Sequence, residues 1–197
     1  MIVLGIDPGS RRCGYGVIAR RSSGLVVLAS GVLAPGDVPM AERLAFIQDG
    51  LAEVIRRAAP AEVSIEQVFA GVSARSALVL GHARGVALAA AARAGLEVFE
   101  YAPAQVKLAF TGSGRASKEQ MLRTARMLLG ADTRRADEAD ALAIAVCHLA
   151  RRAAREATPA RRGAGGRAPV VPLRPGARAA AALARLRPAR RDHRGIA

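Results

Sequence analysis

Two short apolar runs in this sequence each end in an acidic residue, and this repeated pattern constrains the fold more than any other feature. The first run, Ile2–Ile6, is followed by Asp7 and the turn 8–10, and the second run, Val63–Ile65, is followed by Glu66. Short runs rich in Val and Ile are typical of buried strands. We therefore predict two strands that each end in a carboxylate.

A second pair of acids, Asp137 and Asp140, lies three residues apart in a segment with helical periodicity and so shares one helix face. Four carboxylates brought together would raise each other's pKa, and bound cations would remove that penalty. Hard oxygen ligands of this kind suit Mg²⁺ or Mn²⁺. Two such ions could activate a water and neutralise a leaving oxygen, which is the chemistry of phosphodiester hydrolysis.

Each acid, taken singly, has another explanation. Asp7 could cap a turn, and Glu66 could be a solvated strand end. Asp137 could pair with Arg134 or complement the dipole of a helix start. Glu138, which lies between the paired acids, is predicted to point into solvent.

The order of the predicted elements indicates an α/β domain over residues 1–153. Predicted strands lie at about 2–7, 13–19, 25–33, 61–66 and 96–101, and predicted helices at about 41–58, 76–93, 103–110, 117–129 and 134–152. An antiparallel meander followed by alternating helices and strands predicts a mixed five-stranded sheet with helices on both faces. Helix 76–93 is apolar on nearly every side, so we expect it to pack on the sheet and on a second subunit.

The charge is concentrated at one end of the chain. Residues 151–197 contain 13 arginines and only two acids, and they carry +11 of the net charge of +14 over 197 residues. Such a charge favours a polyanionic partner, either nucleic acid or a membrane surface. Residues 158–197 are mostly Ala, Arg, Gly and Pro, so we predict a disordered basic tail that is equally compatible with a DNA-binding arm and with no role.

Other compartments and cofactors receive little support from the sequence. No apolar run is long enough to span a bilayer and the start lacks a charged signal region, so we expect no membrane association and a cytoplasmic protein. Cys13 and Cys147 are isolated and are predicted to be core residues. His82, His148 and His193 match no metal spacing, so packing or exposure is expected for each.

Five ordered blocks of the chain resemble the RuvC-type Holliday-junction resolvases, the crossover junction endodeoxyribonucleases. These blocks are Gly5-Ile6-Asp7-Pro8-Gly9-Ser10 with Gly14-Tyr15-Gly16, Ile65-Glu66-Gln67-Val68-Phe69 with Gly81-His82-Ala83-Arg84-Gly85-Val86, residues 101–107, Gly112 to Gln120, and Asp137 to Ala143. Together they span about residues 2–150. The resemblance implies a ribonuclease H-like fold, a homodimer, and magnesium-dependent incision of two opposed strands of a four-way DNA junction during recombination and repair.

The resemblance also implies roles for individual residues. The four matched acids, Asp7, Glu66, Asp137 and Asp140, would be catalytic and would bind two Mg²⁺ ions per subunit, for which Mn²⁺ could substitute. Lys107 and Lys118 match basic residues that act near the scissile phosphate.

Three further residues are implied to contact DNA. Phe69 matches an aromatic residue that stacks on an unpaired base, whereas Ser73 stands where the family commonly has Asn, and Arg75 follows in the same segment. A branch-migration complex of RuvA and RuvB is the partner that the family implies.

Three other functions compete with junction resolution. A nucleotide-binding protein of the sugar-kinase and actin-like type would share the first phosphate loop, but the chain is short for two lobes. A ribosomal-RNA processing nuclease would share the fold and change the substrate. A non-catalytic DNA binder would depend on the basic tail alone.

Overall fold

The computed structural model describes residues 1–67, 73–131 and 133–157. The strands are β1 (Ile2–Asp7), β2 (Cys13–Arg21), β3 (Gly24–Leu33), β4 (Glu62–Glu66) and β5 (Glu97–Tyr101), and the helices are α1 (Met40–Ala58), α2 (Ala74–Arg93), α3 (Pro103–Thr111), α4 (Lys118–Leu129) and α5 (Ala136–Ala157). Phe69 and the predicted tail 158–197 lie outside the described residues. Within the described part, none of the helices is long and apolar enough to cross a membrane.

The five strands form one mixed sheet in the order β3-β2-β1-β4-β5. β1, β2 and β3 are antiparallel neighbours, whereas β4 runs parallel to β1 and β5 runs parallel to β4. A parallel neighbour requires a crossover, and α1 and α2 provide the two crossovers here. The predicted α/β class with a mixed five-stranded sheet is confirmed.

Alternate residues of the strands face two separate cores, as the pleat of a sheet requires. Leu4, Ile6 and Val17 pack with α1 and α2 on one face. Val3 and Ile18 pack with α3, α4 and α5 on the opposite face. Helices therefore cover both faces, and both Cys13 and Cys147 are buried free thiols in these cores, as predicted.

Helix α5 approaches the sheet closely because glycines lie beneath it. A Cβ atom on Gly5 would lie 2.2 Å from the carbonyl oxygen of Ala141, and one on Gly14 would lie 1.9 Å from that of Asp137. Gly16, which pairs with Gly5 across β1 and β2, is similarly close to Leu142. No real Cβ atom fits at such distances, so these glycines set the position of the first turns of α5 over β1 and β2.

Most helix boundaries lie within two residues of the predicted ones, and side-chain contacts account for the observed start of α2 and end of α5. α2 begins at Ala74 because Ser73 caps it, and its hydroxyl accepts a hydrogen bond from the Ser76 amide at 3.2 Å. α5 ends at Ala157, beyond the predicted end at 152. Its last turn is stabilised by Glu156, which pairs with Arg152 one turn earlier at 3.0 Å and with Arg20 of β2 at 3.8 Å.

We expect Gly14→Ala to destabilise the protein by about 3 kcal/mol, because the added methyl group meets backbone that cannot rotate away. Gly50→Ala is the matched control, since its Cβ atom would meet only the side chain of Leu33, at 2.7 Å. Chemical denaturation of both variants measures the difference. Equal stabilities would contradict the proposed role of the close approach.

Candidate active site

Asp7 and Glu66 lie at the ends of two adjacent parallel strands. Ile6 is paired with Ile65, so the next residue of each strand is an acid at the same edge of the sheet. By the alternation of the pleat, both acids lie on the face that α5 covers. The side chains predicted from two remote apolar runs are therefore neighbours.

Asp137 and Asp140 belong to the first turns of α5, which the glycines of β1 and β2 hold against the sheet. Gly14, whose Cβ atom would collide with the backbone of Asp137, is also the residue paired with Asp7. The acidic turn of α5 thus lies directly over the end of β1. Three separate elements, β1, β4 and α5, contribute the four carboxylates to one place.

The electrostatics of these acids show that they act on one another. Burial and then the charges of Glu66, Asp140 and Asp137 raise the pKa of Asp7 to about 8. Burial and the charge of Asp140 raise the pKa of Glu66 to about 7. Burial and Asp137 also raise the pKa of Asp140. The ionisation of Asp7, Glu66 and Asp140 is therefore opposed in the protein alone, and the charge of Asp137 contributes to that effect on Asp7 and Asp140.

Two lysines from neighbouring helices oppose this effect. The charge of Lys107, on α3, lowers the pKa of both Glu66 and Asp140. Lys118, the first residue of α4, lowers the pKa of Asp140. A capping box formed by Ser117 and Gln120, with hydrogen bonds of 2.8 and 3.3 Å, fixes this helix start. Both predicted lysines thus lie within electrostatic reach of the acids.

The donor set fits a hard divalent cation. Four carboxylates supply only oxygen ligands, and a bound cation would favour their ionised form against the burial and repulsion described above. Among the described residues, no group of three or more His, Cys, Asp or Glu side chains is arranged closely enough to hold a metal ion. The carboxylates act on one another through their charges.

The region of the chain that carries this site matches a known family. The family model described as "Crossover junction endodeoxyribonuclease RuvC" matches residues 3–148, which include all four acids and both lysines. The chain belongs to the RuvC family. A RuvC of Anaeromyxobacter sp. (strain Fw109-5) is 71% identical over 206 residues, which cover 100% of both chains.

Other RuvC proteins support the same assignment. The RuvC of Myxococcus xanthus (strain DK1622) is 48% identical over 170 residues, covering 84% of this chain and 87% of that protein. Among solved structures, T. thermophilus RuvC in complex with Holliday junction substrate is similar with a TM-score of 0.70 and 37% identity. That match covers 76% of this chain and 93% of the other. The ribonuclease H-like fold implied by the sequence resemblance agrees with this similarity.

Two acids of this RuvC-family chain have partners that differ from those considered in the sequence. Asp137 lies 4.0 Å from the guanidinium of Arg12, not beside Arg134. The prediction that Glu138 points into solvent is wrong. Its carboxylate accepts hydrogen bonds from Ser30 of β3 at 2.6 Å and from Thr133, just before α5, at 2.7 Å.

Two of the three residues proposed to contact DNA lie within the described part of the structure. Ser73 and Arg75 lie at the start of α2, where both are exposed. The Ser73 hydroxyl already caps the helix and contacts the Ser76 hydroxyl at 2.9 Å. Phe69 lies outside the described residues, so its role stays a prediction.

A buried polar network behind the site was missed by the sequence reasoning. His148, which is 2% exposed, contacts the Tyr101 hydroxyl at 2.8 Å and the Glu62 carboxylate at 2.5 Å. Arg152 also binds Glu62. Burial lowers the pKa of His148. The network joins α5 to β4 and β5. The sequence feature that could have indicated it is the alternation of polar residues 62, 64 and 66 within a buried strand.

Proposed function

We propose that this chain resolves four-way DNA junctions by two symmetric nicks, each made by metal-dependent hydrolysis of a phosphodiester. The observation that carries the proposal is the coupling of four acids from three elements beside two lysines. The RuvC family is named for crossover junction endodeoxyribonuclease activity, and a similar solved RuvC is bound to a Holliday junction substrate. We place the activity in recombination and repair of DNA.

Asp7, Glu66, Asp137 and Asp140 would hold two Mg²⁺ ions per subunit, and Mn²⁺ could substitute because it prefers the same oxygen ligands. When bound, the ions supply an activated water and neutralise charge on the attacked phosphate and the leaving oxygen. The protein supplies a buried edge of the sheet where the ligands lie close together. Because burial and repulsion raise the pKa of Asp7 and Glu66, a bound cation would displace protons from these carboxyl groups.

Lys107 and Lys118 would contact the phosphate being cut. Lys107 is half-buried on α3, and Lys118 is exposed at the start of α4. An ammonium group placed beside a phosphate stabilises the negative charge that increases in the transition state. Because each lysine comes from a different helix, the two can approach the phosphate from different directions.

We assign the dimer interface to the outer face of α2. Ala83, Ala87 and Ala91 of this helix are buried against the domain. The opposite face exposes a stripe that includes Leu78, which is 63% exposed, and Gly85, around which no atom lies within 4 Å of a Cβ position. Two symmetric cuts require two identical sites related by a two-fold axis, and an axis through this stripe would pack it against the same stripe of a second subunit.

The remaining assignments follow from membership of the family. Phe69, Ser73 and Arg75 are proposed to contact DNA near the cut. RuvA and RuvB are proposed partners, and the cytoplasm is the proposed compartment.

We expect Asp7→Asn to abolish junction cutting and to leave junction binding largely intact, because it removes a metal ligand and no basic group. Asp49→Asn is the matched control, since Asp49 is exposed on α1, which packs on the opposite face of the sheet from α5. Cleavage of a synthetic four-way junction with Mg²⁺, compared with duplex DNA and structured RNA, measures the effect. Cutting by Asp7→Asn, or equal rates on the three substrates, would contradict the proposal.

We expect Leu78→Arg to shift the protein from dimer to monomer, because it places a charge within the exposed α2 stripe. Leu128→Arg is the control, since Leu128 is 50% exposed on α4, outside the stripe. Sedimentation velocity reports the oligomeric state. A dimer that tolerates Leu78→Arg and dissociates with Leu128→Arg would move the interface to α4.

A further inference from the structure

A cavity of about 590 Å³ lies beside the acidic site, between the turn at residues 9–12 and the first two turns of α2. Three arginines line it: Arg11 and Arg12 from the turn, and Arg75 from the helix. We call it the arginine cavity. Asp7 ends the strand that leads directly into this turn, so the cavity and the acidic site share one loop.

The arginines of the cavity are available to a ligand. Arg11 is 3.7 Å from Asp37, and both side chains are largely exposed. Arg12 is 4.0 Å from Asp137 and is 71% exposed. Long ion pairs between exposed groups contribute little stability, so a better anion displaces them at small cost. Arg75 has no ion pair within the described residues.

Local backbone structure places the positive groups. A Cβ atom on Gly9 would lie 2.3 Å from the carbonyl oxygen of Arg12, so the turn folds tightly on itself, and both of its arginines line the cavity. Across the cavity, α2 has no acidic residue in its first turn, and its dipole adds positive potential at that end. Both walls of the cavity are therefore electropositive.

We propose that the arginine cavity binds a backbone phosphate of the DNA strand that the acidic site cuts. This inference rests on the proposed function and adds Arg11 and Arg12 to the DNA-contacting residues. Guanidinium groups match phosphate oxygens in geometry and remain charged at all relevant pH values. Arg12 contacts Asp137 in the protein alone and turns to the phosphate when DNA binds, so strand binding releases a carboxylate of the metal site.

The test is the salt dependence of junction binding. Affinity for a fluorescent four-way junction is measured in EDTA, where no strand is cut, over a series of salt concentrations. Loss of one phosphate contact lowers the slope of log K against log salt by about one unit. We expect this loss for Arg12→Gln and for Arg75→Gln, whereas Arg12→Lys and Arg75→Lys restore the slope because lysine carries the same charge.

Arg93→Gln is the matched control, because Arg93 is exposed at the other end of α2 and lines no part of the cavity. Slopes for Arg12→Gln and Arg75→Gln that equal the slope for Arg93→Gln would overturn the proposal. Inorganic phosphate is also titrated by calorimetry into the protein without DNA. Phosphate binding that Arg12→Gln abolishes, together with unchanged junction slopes for the arginine variants, would assign the cavity to a free phosphate instead.

These outcomes are independent of the test of catalysis. If Asp7→Asn abolishes cutting while the arginine variants bind normally, the arginine cavity alone is refuted. If Asp7→Asn still cuts, the proposed function fails whatever the arginine slopes are.

Discussion

The structure depends on the close approach of α5 to β1 and β2, which only residues without a side chain permit. Gly5, Gly14 and Gly16 lie beneath the helix, and backbone atoms of α5 occupy the space that their side chains would need. This contact brings Asp137 and Asp140 over the end of β1. Without it, the helix would move outward and its acids would separate from Asp7. The packing of the core therefore also determines the geometry of the candidate active site.

Bringing the acids together opposes folding and favours cation binding. Burial and mutual repulsion raise the pKa of Asp7 to about 8 and that of Glu66 to about 7. The hydrophobic cores on the two faces of the sheet stabilise the fold and so offset this repulsion. Three positive side chains near the carboxylates partly balance their negative charge. They are Lys107 of α3, Lys118 of α4 and Arg12 of the turn after β1. The same arrangement attracts both a divalent cation and the phosphate backbone of DNA.

The sequence predicted most of the fold because the apolar runs and helical periodicity are strong local signals. The roles proposed for the four acids and two lysines stay predictions; the structure places the acids where their charges act on one another, with Lys107 and Lys118 within electrostatic reach of Asp140. The sequence did not predict contacts between residues that lie far apart in the chain. His148 and Glu62 are 86 residues apart, yet together with Tyr101 they form a buried polar network. Neither residue has a local pattern that indicates its partner.

The wrong prediction for Glu138 has a related cause. Helical spacing correctly placed Glu138 on a different face from Asp137 and Asp140, but spacing alone does not show what that face contacts. Ser30, on β3, is 108 residues away in the chain, and no local sequence pattern links the two residues. Its hydroxyl nevertheless donates a hydrogen bond to Glu138. The arginine cavity was missed for the same reason, since Arg12 and Arg75 belong to separate segments of the chain.

The most direct test of the coupled acidic site is the number of protons released when Mg²⁺ binds. Calorimetric titration of the metal-free protein in two buffers of different ionisation enthalpy gives this number. Because the raised pKa values leave Asp7 and Glu66 partly protonated at pH 7, binding is expected to release about one proton there and few protons well above pH 8. Asp7→Asn should release fewer. Magnesium binding without proton release at pH 7, or with the same release in Asp7→Asn, would contradict the account.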